Sequence, residues 1–209
     1  GGEAISGHAD YLNDTWRLDL KTLKWSAVNT QGSRPLARSH AAHWLCDSHL
    51  YIYGGQYLPV GSTSALQTRS CEDFDVLDLR SNTWDSLPLI GQPPGLLQET
   101  CVAVLGDRTL IWGGYTELSG MSQSEIEEAW KRAQDGEAGS PVDQACYKVG
   151  TFLYEGGTWR MLRKLGHDSA AMAQGWAIPT SADTCIVLGG YGLTAGSGTV
   201  ANGSYTCGS

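Results

Sequence analysis

A chain of 209 residues can hold one domain with a sizeable core, and 41% hydrophobic residues supply the material for it. A formal net charge of -8 with no Lys/Arg cluster excludes the basic patch of a nucleic-acid binder. No apolar run approaches the roughly 18–20 residues that carry a helix across a bilayer, and the first residues lack the basic start and apolar centre of a signal peptide. The rest of the composition suits short strands and tight turns, with 27 Gly, eight Trp and nine Tyr against two Phe.

In chain order, a glycine pair recurs in one setting: Gly1-Gly2, Gly54-Gly55, Gly113-Gly114 and Gly189-Gly190. The last three pairs each close an apolar, β-prone run: Leu50–Tyr53, Leu110–Trp112 and Ile186–Leu188. A tryptophan follows each of the first three pairs, at Trp25, Trp84 and Trp159. Trp25 and Trp84 lie 59 residues apart, and so do Gly54 and Gly113. After Trp25 comes the turn Gly32-Ser33-Arg34-Pro35, and after Trp84 the turn Gly91-Gln92-Pro93-Pro94. Strand, Gly-Gly and Trp recurring at a fixed period of tens of residues mean stacked β units.

These residues resemble the kelch repeat. In that family an apolar strand ends in Gly-Gly, then follow an apolar strand, Thr, Trp, a Gly/Pro turn, and Arg with a following His. Leu18-Asp19-Leu20, Thr22, Trp25, Gly32, Pro35, Arg38, His40 and Gly54-Gly55 match the pattern nearly in full. The next unit keeps Gly113-Gly114, Trp84 and Pro94 but has Leu97 and Glu99 for the Arg and His. The third keeps Gly189-Gly190 and Trp159. The resemblance spans essentially the whole chain, 1–209, and implies an all-β, kelch-type β-propeller segment of four-stranded antiparallel blades.

The expected strands are an outer pair at 12–20 and 24–28, then blades at 38–46, 49–54, 73–79, 83–87 and at 99–105, 108–113, 146–154, 158–163. A last, incomplete blade is expected at 171–178, 184–189 and 203–207. Two complete and two partial blades fall short of the about four to eight of a closed propeller. With no initiator Met and a start inside a repeat, the chain reads as a fragment of a larger protein. The glycine pairs, Trp25, Trp84 and Trp159 are expected to be structural repeat residues, and Arg38 and His40 to brace neighbouring blades.

Antiparallel strands alternate direction, so the loops after each Gly-Gly, at 56–71, 115–145 and 191–201, collect on one face with the blade-to-blade loops. Loops on a rigid scaffold commonly carry binding. The insertion at 115–145 contains an expected helix. It has a capping box at Ser122–Glu125 and an apolar stripe of Ile126, Ala129, Trp130 and Ala133. Ile126 and Trp130, with Tyr57, Tyr115, Tyr191 and Arg69 on the same face, are the candidate partner-binding residues.

The search for chemistry is negative. His40 and His43 have odd spacing on an expected strand and so point to opposite faces, which argues against a shared metal. There is no Cys-x-x-Cys, Gly-x-Ser-x-Gly elbow, Walker loop or Rossmann fingerprint. The six cysteines are too sparse for a disulfide scaffold and read mainly as packed thiols. The expectation is a protein-interaction or scaffold module with no cofactor, no metal and no catalytic residues, leaning intracellular, with protein partners or further blades beside it. The alternative is the propeller of an enzyme, either resembling copper radical oxidases or regulating a catalytic domain outside this segment.

Overall fold

The computed structural model describes residues 2–5, 9–62, 68–114, 150–162, 171–193 and 205–207. Every described element is a strand, as the repeat implies. The helix expected within 115–145 lies outside the described residues.

The chain begins with two hairpins, β1 (Gly2–Ile5) with β2 (Ala9–Leu12) and β3 (Trp16–Asp19) with β4 (Lys24–Ala27). The β3–β4 turn is closed by the Asp19 carboxylate, which accepts the N–H groups of Lys21 at 2.8 Å and Thr22 at 2.9 Å. These bonds to the charged form hold its pKa below the usual carboxylate value. One repeat later Asp78 does the same, accepting from the Arg80 N–H at 2.8 Å and the Ser81 hydroxyl at 3.0 Å. An Asp at the strand end therefore writes each outer turn into the sequence.

The first full blade combines β5 (Gln31–Gly32), β6 (Ala42–Cys46), β7 (His49–Tyr53), β10 (Phe74–Asp78) and β11 (Thr83–Ser86) in the order β5-β11-β10-β7-β6. A small hairpin, β8 (Gln56–Tyr57) with β9 (Arg69–Ser70), stands on the long loop after Gly55. The second blade is β12 (Cys101–Leu105), β13 (Arg108–Trp112), β14 (Thr151–Glu155) and β15 (Thr158–Leu162), paired in that order. In the third, β17 (Trp176–Pro179), β18 (Cys185–Leu188) and β20 (Tyr205–Cys207) form one sheet. Beside it β16 (Ala171–Ala173) pairs with β19 (Tyr191–Leu193). The inner strands β6, β12 and β17 lie side by side, so the blades fan out from one axis.

Period-2 alternation sends one side of each strand into a seam between blades. Along β6, Ala42 and Trp44 are buried while His43 and Leu45 are exposed. Trp44, Tyr53 and Phe74 of the first blade meet Ile111, Phe152 and Trp159 of the second in one apolar cluster. The Trp159 ring lies 5.1 Å from Tyr53, 5.4 Å from Phe74 and 6.3 Å from Trp44, the last edge-on at 90°. The next seam is built from smaller groups, Ala103, Leu105 and Cys185 in one cluster and Cys101 with Val187 in another.

The three repeat tryptophans differ in burial. Trp159 and Trp84 are 0% and 3% exposed, but Trp25 is 65% exposed. Trp159 is buried because it enters the seam with the preceding blade. Trp25 lies on β4, with no described strand on that side.

The chain between blades is stitched to the outer strand of the next one, a feature the sequence reading treats only as a turn. Gln31 N–H donates to Asn82 O at 3.0 Å, and Ser33 N–H to Trp84 O at 2.9 Å. One repeat on, Trp159 N–H donates to Ile90 O and Gln92 N–H to Trp159 O, both at 2.8 Å. Gly32 and Gly91 sit at the contact with φ of +78° and +91°, and a Cβ on either would run into the carbonyl oxygen of Trp84 or Trp159. Gly91→Ala is expected to destabilise the protein by about 2–3 kcal/mol, from left-handed strain plus this collision. Gly95→Ala is the control: at φ +80° it meets nothing within 4 Å. It is expected to show the strain alone, about 1 kcal/mol, in parallel urea titrations.

Candidate functional site

The strands divide the molecule's loops between two faces. One carries the short turns Asp47-Ser48, Leu79–Asn82 and Gly106-Asp107. The other carries the Gly-Gly ends, the β8–β9 hairpin and the crossing segments between blades. On that second face the backbone is tightly knit. Gly54 N–H donates to Asp73 O at 3.0 Å, Gly55 N–H to Leu97 O at 2.7 Å, and Cys71 N–H to Gly55 O at 2.9 Å. Cys71 is a free thiol whose Sγ–H donates to Gly54 O at 3.2 Å, and burial raises its pKa.

At the inner rim, His40, Glu99 and Gln174 occupy matching places before the inner strands, all with φ near +55°. Glu99 N–H donates to His40 O at 3.0 Å, and Gln174 N–H to Glu99 O at 2.8 Å, so a backbone ladder runs from blade to blade. The side chains add to it. His40 Nδ1 lies 2.8 Å from Ser39 Oγ and 3.0 Å from Gln56 Nε2, and His40 Nε2 lies 3.6 Å from Glu99 Oε1. Nδ1 thus faces Ser39 and Gln56, and Nε2 faces the buried Glu99 carboxylate. His40 thus reaches across to the neighbouring blade.

The Arg38 side chain bonds inside its own blade, while its backbone N–H donates to Leu12 O of β2 at 3.3 Å. It is 4% exposed. Its Nη1 donates to Gly54 O at 3.0 Å and its Nε to Leu36 O at 3.2 Å. Its Nη2 pairs with Asp73 Oδ2 at 3.0 Å and Asp75 Oδ2 at 3.2 Å. Asp75 Oδ1 accepts the Ser86 hydroxyl at 3.0 Å. Burial raises the Asp75 pKa, and Arg38 and the Ser86 hydrogen bond pull it part of the way back. In the second blade Leu97 stands where Arg38 does and Phe152 where Asp75 does, and both belong to the apolar cluster. One blade closes this corner with an ion pair, the next with hydrocarbon.

Of the residues singled out for partner contact, Tyr57 and Arg69 are brought directly opposite each other in the β8–β9 hairpin. Arg69 is exposed and Tyr57 half-buried. Tyr191 opens β19, opposite Ala173, on the same face. Tyr115, Ile126 and Trp130 lie outside the described residues. Sequence reasoning missed Glu99 as the partner of His40 and Asp73 and Asp75 as the partners of Arg38. Among the described residues no three His, Cys, Asp or Glu side chains come together as metal ligands. Among them also no helix is long and apolar enough to cross a membrane.

Blades of antiparallel strands around one axis, joined by crossing segments and packed through repeated tryptophans, define the chain as a segment of a β-propeller. The family model of the KLHDC2/KLHL20/DRC7 Kelch-repeats domain matches residues 1–190, and the chain belongs to the kelch-repeat family. It is 30% identical over 114 residues to human (Homo sapiens) Host cell factor 2, covering 49% of this chain and 14% of that protein. It is 26% identical over 209 residues to Acyl-CoA-binding domain-containing protein 5 of Arabidopsis thaliana, covering 91% of this chain and 30% of that protein. It is 28% identical over 106 residues to human Kelch domain-containing protein 3, covering 50% of this chain and 28% of that protein. The chain therefore spans less than a third of the length of these curated relatives. The solved structure of YjhT shares the fold, with a TM-score of 0.59 at 15% identity over 84% of this chain and 52% of that one.

Proposed function

We propose that this kelch segment is a protein-interaction module that binds its partner on the long-loop face and performs no catalysis itself. The observation that carries the reading is the pairing of Tyr57 opposite Arg69 in the β8–β9 hairpin on that face. The hairpin is anchored at its base by Cys71 N–H donating to Gly55 O at 2.9 Å and Gln56 N–H donating to Ser39 O at 2.9 Å. A tyrosine ring and a guanidinium on a held hairpin are the side-chain types that dominate protein interfaces. Kelch-repeat domains as a family serve this role, which supports the reading. The Tyr53 hydroxyl serves to hold the blades: Tyr53 is buried and its hydroxyl donates to Gly95 O at 2.8 Å.

The test compares the two faces. Tyr57→Ala with Arg69→Glu is expected to reduce co-purification of partner proteins by about tenfold or more, as loss of an interface anchor does. Ser48→Glu with Ser81→Glu, on the short-turn face, is expected to leave co-purification unchanged. Equal loss from both pairs, or from neither, would reject the long-loop face as the binding surface.

A further inference from the structure

At the short-turn end of the first blade a cysteine, a histidine and an aspartate stand in one row across three strands. Cys46 of β6 pairs with His49 of β7, and His49 pairs with Asp78 of β10. Directly opposed residues of antiparallel strands share a face of the sheet, with Cβ atoms about 4.5–5.5 Å apart. This face is turned to the second blade. Trp44 and Tyr51 form the next row on it, and Cys46 packs against the cluster that holds Phe152 and Trp159. Both blades flanking this seam have their four strands in place.

Cys46 differs from the other cysteines whose side chains are described. Cys71, Cys101 and Cys185 are buried, whereas Cys46 is half-buried. Cys71 also gives its Sγ–H to Gly54 O. Among the described residues the Cys46 thiol makes no hydrogen bond, and neither does the half-buried His49 ring, which lies 6.3 Å from Tyr51.

The groups around the thiol leave His49 as its base. Tyr51 and the second blade's Tyr154 both feel charge on Cys46, but burial raises the pKa of each phenol and keeps it neutral. The Asp78 carboxylate is engaged in the outer turn by the Arg80 N–H and the Ser81 hydroxyl, which lower its pKa and make it a poor base. Its charge favours a cation on His49. Asp47 stands exposed in the turn between Cys46 and His49.

We infer that Cys46 is a site of reversible S-thiolation by small disulfides, with His49 as the base that takes the thiol proton. The S–H proton passes to the His49 ring as the Cys46 sulfur attacks one sulfur of the disulfide. A new S–S bond to Cys46 forms and the old S–S bond breaks, its electron pair leaving on the other sulfur. The departing thiolate takes the proton back from the imidazolium. Cys46 is oxidised to the mixed disulfide, and the released half of the small disulfide is reduced to its thiol. The adduct stands at the short-turn mouth of the seam, away from the long-loop face.

The probe is glutathione disulfide, with the modified cysteines located by peptide mass mapping. Cys46 is expected to react about tenfold or more faster than Cys71, Cys101 and Cys185. Rates are then followed with an aromatic disulfide that releases a coloured thiolate, and Cys46→Ser is expected to remove the fast phase. His49→Gln is expected to slow that phase by about tenfold or more at neutral pH. The gap is expected to close at high pH, where a thiol ionises without a base. Because the ring also packs beside Tyr51, His49→Phe, which keeps a ring without nitrogens, is measured with it and is expected to be as slow. Reaction of Cys46 no faster than that of the three buried cysteines would overturn the site. A fast phase that survives in His49→Phe, or a gap that is the same at every pH, would overturn His49 as the base.

Discussion

Replacing Trp159 with alanine is expected to destabilise the protein by about 3–5 kcal/mol, the range for deleting a fully buried tryptophan. The ring is 0% exposed and touches the first blade as well as its own. Tyr53, Phe74 and Trp44 lie against it across the seam, and Tyr154 lies 4.9 Å away on the neighbouring strand of its own blade. Removing it opens a void lined by rigid aromatic rings anchored on two sheets, which cannot collapse onto one another. Trp159→Phe separates the ring from its polar edge. Among the described residues the indole N–H of Trp159 has no hydrogen-bond partner, and neither has that of Trp84. Phenylalanine keeps an aromatic plug and removes a buried, unpaired donor, so it is expected to cost far less than alanine. Urea denaturation of the three proteins decides this. A Phe variant as damaged as the Ala variant would mean that the N–H is bonded in solution, with a buried water as its partner.

How far such packing can be read from the residue order depends on the range of the interaction. The blade strands are legible because each rests on local signals. Leu50–Tyr53 is an apolar β run that stops at Gly54-Gly55, and the structure places β7 at His49–Tyr53. Asp19 and Asp78 close their turns with residues two or three positions away, well within the reach of a local reading. The strand β5 is not legible, because it has two residues and its partner is Thr83-Trp84, one repeat further on. The same distance hides the inner rim. Read within one repeat, Leu97 and Glu99 look like decay of the Arg-x-His pattern. In the structure Glu99 faces His40 across the blade boundary at 3.6 Å, and Leu97 joins the core beside Phe152. The departures are matched to the neighbouring blade, and only the folded register reveals which residues match. The Arg38 ion pair is hidden for the same reason, since Asp73 and Asp75 stand 35 and 37 residues from Arg38.

The contrast between the two corners gives the second large effect. Arg38→Met is expected to cost about 3–5 kcal/mol at neutral pH, because it leaves Asp75 buried at 3% exposure with no cation against it. Arg38→Met with Asp75→Leu is expected to recover most of that loss, since replacing a buried ion pair by hydrocarbon is often neutral or stabilising. The second blade already holds Leu97 and Phe152 at these two places. Asp73, half-exposed, stays solvated without Arg38, and Ser86, exposed, replaces Asp75 with water. The pH dependence separates charge from lost packing. Burial already raises the Asp75 pKa above the ordinary carboxylate value, and Arg38 does most to lower it. Removing Arg38 therefore raises it further. A carboxyl whose folded pKa lies above its unfolded one contributes its full stability below the unfolded pKa and loses it as pH rises through the folded pKa. The deficit of Arg38→Met is expected to be largest at neutral pH and to narrow as the pH falls through the raised folded pKa of Asp75, where the carboxyl takes up its proton. The double variant, which has no carboxyl at this corner, is expected to hold a constant offset from wild type apart from the titration of Asp75 in the wild-type protein itself. Urea midpoints of the three proteins across that range measure it. A single-variant deficit that does not change with pH would assign the loss to the Arg38 hydrogen bonds with Leu36 and Gly54 and not to the stranded charge.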